Sequence, residues 1–162
     1  MPYVALQQVL DEGAPWGVHA YTKGLYLDGL SDEAIDVVAA RLREKRSPMS
    51  MVLLFPLGGA VGDVPDEATA FGGRRSAKWA VVVDAIMPDP RMFDDERQWA
   101  RSTWDAVRPF ADDASTYVNM MSEFEEDRVR ASYGPKYERL SLIKAVYDPR
   151  NVLRSNANIK PA

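Results

Sequence analysis

The 162-residue chain contains no cysteine. That removes disulfides, a thiol nucleophile and any thiolate metal site together. It contains a single histidine, His19. A Ser-His-Asp triad would have one possible base and no nucleophile elbow around it. One imidazole among scattered carboxylates is also poor material for a metal centre. His19 lies in an aromatic stretch and reads as structural or exposed. No apolar run approaches the ~20 residues of a membrane-spanning helix. The opening "MPYVALQQVLDEG" lacks a basic start followed by a long apolar stretch, so it does not read as a signal peptide. A cytoplasmic protein with no membrane partner is expected. "GGAVG" follows an apolar run but lacks both the GxGxxG spacing and the Lys-Ser/Thr of a phosphate loop, and reads as a turn.

What is present suits one globular domain, long enough to bury a core. The net charge of −4 argues against a nucleic-acid partner. Its distribution says more. From Arg128 to Ala162 there are eight Lys/Arg and two Asp/Glu, a local balance of +6, so the rest of the chain carries −10. Either the basic end packs on the acidic body of its own chain, or it forms a docking surface for another chain or an anionic cofactor.

Along the chain, "GVHAYTKGLYL" (17–27) is aromatic with alternating polar positions and predicts a strand. Ser31 caps a helix whose first turn holds Asp32 and Glu33, with Ile35, Val38, Ala39 and Leu42 on one face. "MSMVLLFPL" predicts a buried strand and "KWAVVVDAIM" a second, β-branched one. Between them, Pro65 and the "FGGRR" glycines punctuate a long excursion. Asp94, Asp95 and Glu96 open a helix carrying Trp99, Thr103, Ala106 and Phe110 on one face. "STYVNMM" is a further strand candidate. The order β-α-β-β-α-β predicts an α+β, ferredoxin-like antiparallel sheet with helices on one face, over residues 1–122. Residues 123–162 form a second unit: helices in "EFEEDRVRASYG" and "PKYERLSLIKAVYDP", then an extended tail.

On a strand, Tyr117 and Asn119 of "TYVNMM" would share one face. A Tyr can serve as a general base where neighbours or a cofactor favour its ionised form. The same pair also fits an ordinary half-exposed strand. The tail "YDPRNVLRSNANI" carries two Asn one residue apart, Asn156 and Asn158, in a polar arrangement that suggests a partner.

The run "YVN" followed by "DRVRASYGPKYERLSLIKAVYDPRNVLRSNANI" resembles the closing segment of berberine-bridge-enzyme-like FAD-linked oxidases. "LGGAV", "VPDEATAF" and "WDAVRPF" resemble that family's substrate domain, so the likeness covers nearly the whole chain. The resemblance implies an antiparallel sheet that covers the isoalloxazine of FAD and holds a small organic substrate. It makes Tyr117 a candidate catalytic base. It makes Asn119, Asn156 and Asn158 candidates for cofactor contact. It also implies that the FAD-binding domain lies outside this sequence, on a separate chain. Two other outcomes are open: a flavin-free homodimer, such as a cyclase or isomerase reusing the sheet around a small molecule, and an inactive remnant.

Overall fold

The computed structural model describes residues 1–8, 11, 15–124 and 126–162. Most of the opening stretch read for a signal peptide is therefore seen, but positions 9, 10 and 12–14 lie outside the described residues, as does Glu125 at the start of "EFEEDRVRASYG".

After a short helix α1 (Tyr3–Gln7) the chain forms β1 (His19–Leu27), α2 (Asp32–Leu42), β2 (Met51–Pro56), β3 (Trp79–Met87), α3 (Phe93–Val107), α4 (Glu126–Tyr133) and α5 (Lys136–Tyr147). The sheet is antiparallel throughout, in the order β1-β3-β2. Its period of two sorts the side chains onto two faces. Leu25, Val81 and Leu54 stand in one row across the sheet and face α2 and α3, where they pack with Val38 and Val107. Tyr21, Val83, Ala85 and Met87 continue that face and pack with Trp99 and Ala100 of α3. The alternate rows point to the opposite side: Tyr26, Ala80 and Phe55, then Gly24, Val82 and Leu53, then Thr22, Asp84 and Met51.

Local chemistry explains the helix limits. The Ser31 hydroxyl accepts from the Ala34 N–H at 3.2 Å and caps α2. Gly134 takes φ +56°, a left-handed position natural to glycine, and separates α4 from α5. Tyr137 of α5, Val129 of α4 and Met121 form a small third core, joined by Ala157 and Ile159 of the tail.

Two expectations are corrected. β2 is an edge strand, half-buried over Met51–Leu54 and exposed at Phe55 and Pro56, because only β3 pairs with it. "STYVNMM" is not a fourth strand. Val118–Met120 is a 3-10 turn, and among the described residues its segment joins the ladder through an isolated bridge between Met121 and Lys23 on the outer edge of β1. The Ser122 hydroxyl accepts from Thr22 N–H at 2.8 Å, and Ser122 N–H donates to the Thr22 carbonyl at 3.0 Å. Trp104 Nε1 donates to the Gly24 carbonyl at 2.9 Å. The β1 edge is thus sealed by side chains instead of a strand.

By sequence, Glu96 serves the helix dipole alone. In the fold it is fully buried, and its carboxylate accepts from the N–H groups of Arg46 (2.7 Å) and Ser47 (2.9 Å) and from the Ser50 hydroxyl. It therefore fixes the 46–50 turn that delivers the chain into β2. Glu96→Ala is expected to lower unfolding free energy by about 3 kcal/mol in urea, since it orphans the buried Ser47 N–H and Ser50 hydroxyl and the part-buried Arg46 N–H. A loss under about 0.5 kcal/mol would mean the turn does not depend on this carboxylate.

Candidate functional site

Among the described residues no α-helix covers the sheet face away from α2 and α3. Residues 116–121 lie across it instead. They can do so because β1 has no side chain at Gly24: a Cβ there would stand 2.3 Å from Thr116 Oγ1 and 3.1 Å from Met120 Cβ. Thr116 N–H donates to the buried Ser132 hydroxyl at 3.2 Å, which ties the same segment to α4.

Beside this segment is a pocket of about 340 Å³. Its floor is Tyr26, Ala80 and Val82 of the sheet. Its walls are Phe55–Leu57, Val61, Phe71, Tyr117 and Met120. The long excursion between β2 and β3 supplies one wall, and the two glycines of "FGG" make its close packing possible. A Cβ at Gly72 would stand 2.7 Å from the Tyr133 ring, and one at Gly73 would stand 2.6 Å from both the Phe71 ring and Tyr26 Oη. Phe71 stacks on Tyr117, with ring centroids 5.4 Å apart and planes 25° apart. Lys136 Nζ donates to the Phe71 carbonyl at 2.6 Å.

Tyr117 and Asn119 are brought together as expected, but by the 3-10 turn and not by strand alternation. Asn119 Nδ2 donates to Tyr117 Oη at 2.7 Å. No described residue accepts the Tyr117 hydroxyl proton. Burial pushes the Tyr26 hydroxyl up to about 12, so it is a neutral donor at physiological pH. On the same face, burial raises the Asp84 carboxyl above its ordinary range, partly offset by the Thr22 hydroxyl donating at 2.6 Å. Sequence reasoning missed Asp84, Tyr26 and Phe71. Asp84 was legible as the one acid inside a β-branched strand.

Beyond the turn, Glu123 anchors the segment. Burial works against its charge, but Arg101, Tyr21 and Lys23 (Nζ at 3.3 Å) overcome this and hold it at about 2.

Asn156 and Asn158 are not part of the pocket. Asn156 is exposed, Asn158 half-buried, and neither side chain hydrogen-bonds a described residue. The tail around them is nevertheless well tied. Asp148 accepts from the N–H groups of Val152 and Leu153, both at 2.8 Å, and from Lys144 Nζ at 2.6 Å. Lys144 also reaches the Leu153 carbonyl. Ser141 donates to the Lys160 carbonyl at 2.6 Å, and Lys160 pairs with Glu126 at 2.5 Å. The basic end is therefore divided. Arg130, Lys144 and Lys160 pair with acids of this same segment, while Arg139, Arg150 and Arg154 have no ion pair among the described residues. Around them Leu142, Val146, Tyr147, Val152 and Leu153 are 62–84% exposed.

Among the described residues no helix is long and apolar enough to cross a membrane.

Residues 116–160 match the family model "Berberine and berberine like". An FAD-linked oxidoreductase of Dictyostelium discoideum is 26% identical over 99% of this chain and 35% of its own length. The aclacinomycin-N/aclacinomycin-A oxidase of Streptomyces galilaeus is 30% identical over 68% of this chain and 23% of its own length. Among solved structures, berberine bridge enzyme from Eschscholzia californica superposes with a TM-score of 0.78 at 19% identity, over 97% of this chain and 36% of that one. The chain thus spans about a third of the length of such relatives.

Two outcomes test this geometry. Gly24→Ala is expected to push residues 116–120 off the sheet, lowering the melting temperature by about 2–4 °C for each kcal/mol lost and broadening the Tyr117 ring resonances; unchanged resonances would contradict the close approach. Glu123 has a depressed pKa, so its stabilisation is complete above the ordinary carboxylate range and is lost as pH falls towards about 2. Acid unfolding of Glu123→Gln should accordingly be shallower across that window than that of the parent chain, and an identical slope would contradict it.

Proposed function

We propose, on the premise that this chain corresponds to a portion of the berberine-bridge-enzyme-like FAD-linked oxidoreductases, that it forms the substrate side of such an enzyme. The observation that carries this reading is the helix-free sheet face with Tyr117 and Asn119 at a pocket. In this reading residues 1–122 are a ferredoxin-like unit whose fourth strand is reduced to the bridge at Met121. Residues 123–162 are the segment that meets a flavin domain on a separate chain.

The residues fit one side of FAD. The pocket offers a flat apolar wall to an isoalloxazine, while none of the described glycine turns is a phosphate cradle: "GGAVG" forms a 3-10 turn at Gly59–Val61. Bound in that position, the flavin would supply the acceptor for a hydride from the substrate carbon. This chain's part is to bind, orient and exclude water. Tyr117, steered by the Asn119 amide, would in its ionised form take the proton of the substrate hydroxyl. Asn119 is also a donor for the cofactor side, and Asn156 and Asn158 have free amides to offer it across the contact face. The exposed apolar stripe of α5 and the uncompensated Arg150 and Arg154 are the surface on which the partner would seat.

A second reading draws on the unpaired outer edge of β2. Two copies could pair there around a two-fold axis, giving a flavin-free homodimer with a small organic molecule on the open face.

Size-exclusion chromatography with an FAD-binding chain separates the two. The expected result is a co-eluting yellow complex, weakened at least about tenfold by Val146→Asp or Leu153→Asp. These side chains are 74% and 78% exposed, so neither change should alter folding. Colourless elution as a dimer, with or without the flavin chain, would sink the flavin reading.

A further inference from the structure

The pocket also specifies what kind of molecule it takes. We infer that its ligand is a neutral, planar aromatic molecule bearing a hydroxyl or carbonyl group, and not a sugar, a carboxylate or an amine. This deepens the proposed function, since it takes the same face as the substrate side.

The inference follows from charge, polarity and shape together. Among the described residues no Asp or Glu lines the pocket. An ammonium group would leave water without a counter-charge to meet, which is costly in an apolar setting. Among the described residues the one charged lining side chain is Arg74, whose two terminal nitrogens are engaged by Asp28 at 2.7 Å and Asp112 at 3.2 Å. Only its Nε is left to an incoming carboxylate, which would share the guanidinium with these two acids and meet their repulsion. A sugar presents hydroxyls on every side. The lining side chains offer few uncharged polar groups to receive them, chiefly the phenols of Tyr26 and Tyr117, so several hydroxyls would be desolvated without partners.

Shape points the same way. Ala80 and Val82 are short and leave a flat floor between Tyr26 and Phe55. The Phe71–Tyr117 stack forms a wall against which a further ring can lie edge to face. The cavity, at about 340 Å³, sits at the small end of organic-ligand sites and suits a bicyclic or tricyclic ring system. One polar position is prepared at this wall. The Tyr117 hydroxyl has its oxygen approached by Asn119 and its proton uncommitted, so it can donate to a ligand oxygen.

The test uses the whole chain and four probes at neutral pH: 2-naphthol, 2-naphthoate, 2-naphthylmethylammonium and cellobiose, each titrated by calorimetry. The expected result is that 2-naphthol binds at least about tenfold tighter than either charged analogue, and that cellobiose gives no heat. Phe71→Ala should weaken 2-naphthol. Val61→Glu, on the exposed rim, should bring the ammonium probe level with the neutral one or ahead of it. No binding of 2-naphthol, equal binding of all three naphthyl probes, or preference for cellobiose overturns the inference. Should 2-naphthol bind while no yellow complex forms with the flavin chain, the pocket assignment stands and the flavin reading falls. Should a yellow complex form while 2-naphthol does not bind, the flavin reading stands and the pocket assignment falls.

Discussion

The open face of the sheet depends on a missing side chain. Gly24 sits on the edge strand, and the space above it admits Thr116 and Met120 to within direct contact of the backbone. Any larger residue would lift the 116–121 segment away. With the segment down, Tyr117 meets Phe71, and a pocket exists between the excursion after β2 and the turn after α3. The same segment then continues past the β1 edge, where Ser122 and Trp104 occupy backbone groups a fourth strand would have used and Glu123 pairs with the Lys23 side chain. A sheet of three strands thereby keeps a closed edge on one side and an accessible face on the other.

The C-terminal segment combines rigidity with exposure. Its backbone is held by the Asp148 carboxylate, which Lys144 and two N–H groups keep near 2. Its end is pinned by Ser141, Tyr137 and Glu126. Yet Leu142, Val146, Tyr147, Val152 and Leu153, set among those anchors, face outward. Ordering a surface in advance lowers the entropy lost on association, so this arrangement suits a face that is met by a partner. Neither sequence expectation for the basic end holds alone. Part of it is neutralised close by, by Asp148 within it and by Glu126 just ahead of it, while Arg139, Arg150 and Arg154 have no ion pair among the described residues.

Most regular elements were legible because their signals are local. Ser31 caps α2, β-branched residues make β3, and Gly134 divides the last two helices, each within a few residues of where its chemistry acts. The fourth strand was not, because whether "STYVNMM" pairs depends on Gly24, about ninety residues earlier. The Tyr117–Asn119 pair was found for a partly wrong reason: spacing of two joins them on a strand face, whereas a 3-10 turn is what joins them here. Phe71 and the glycines after it read as loop punctuation, since nothing local says that Tyr26 and Tyr133 pack against them. Glu96 looked like an exposed first-turn acid because its three donors come from a turn some fifty residues away.

Central to the proposed function is that the open sheet face and the α5–tail surface would together receive a flavin-bearing chain. Hydrogen exchange by mass spectrometry, with and without that chain, reads both surfaces in one experiment. Slowed exchange at 117–120 and 142–156, with α2 unchanged, is the expected pattern. Slowing confined to α2 and α3, or no change anywhere, would contradict it.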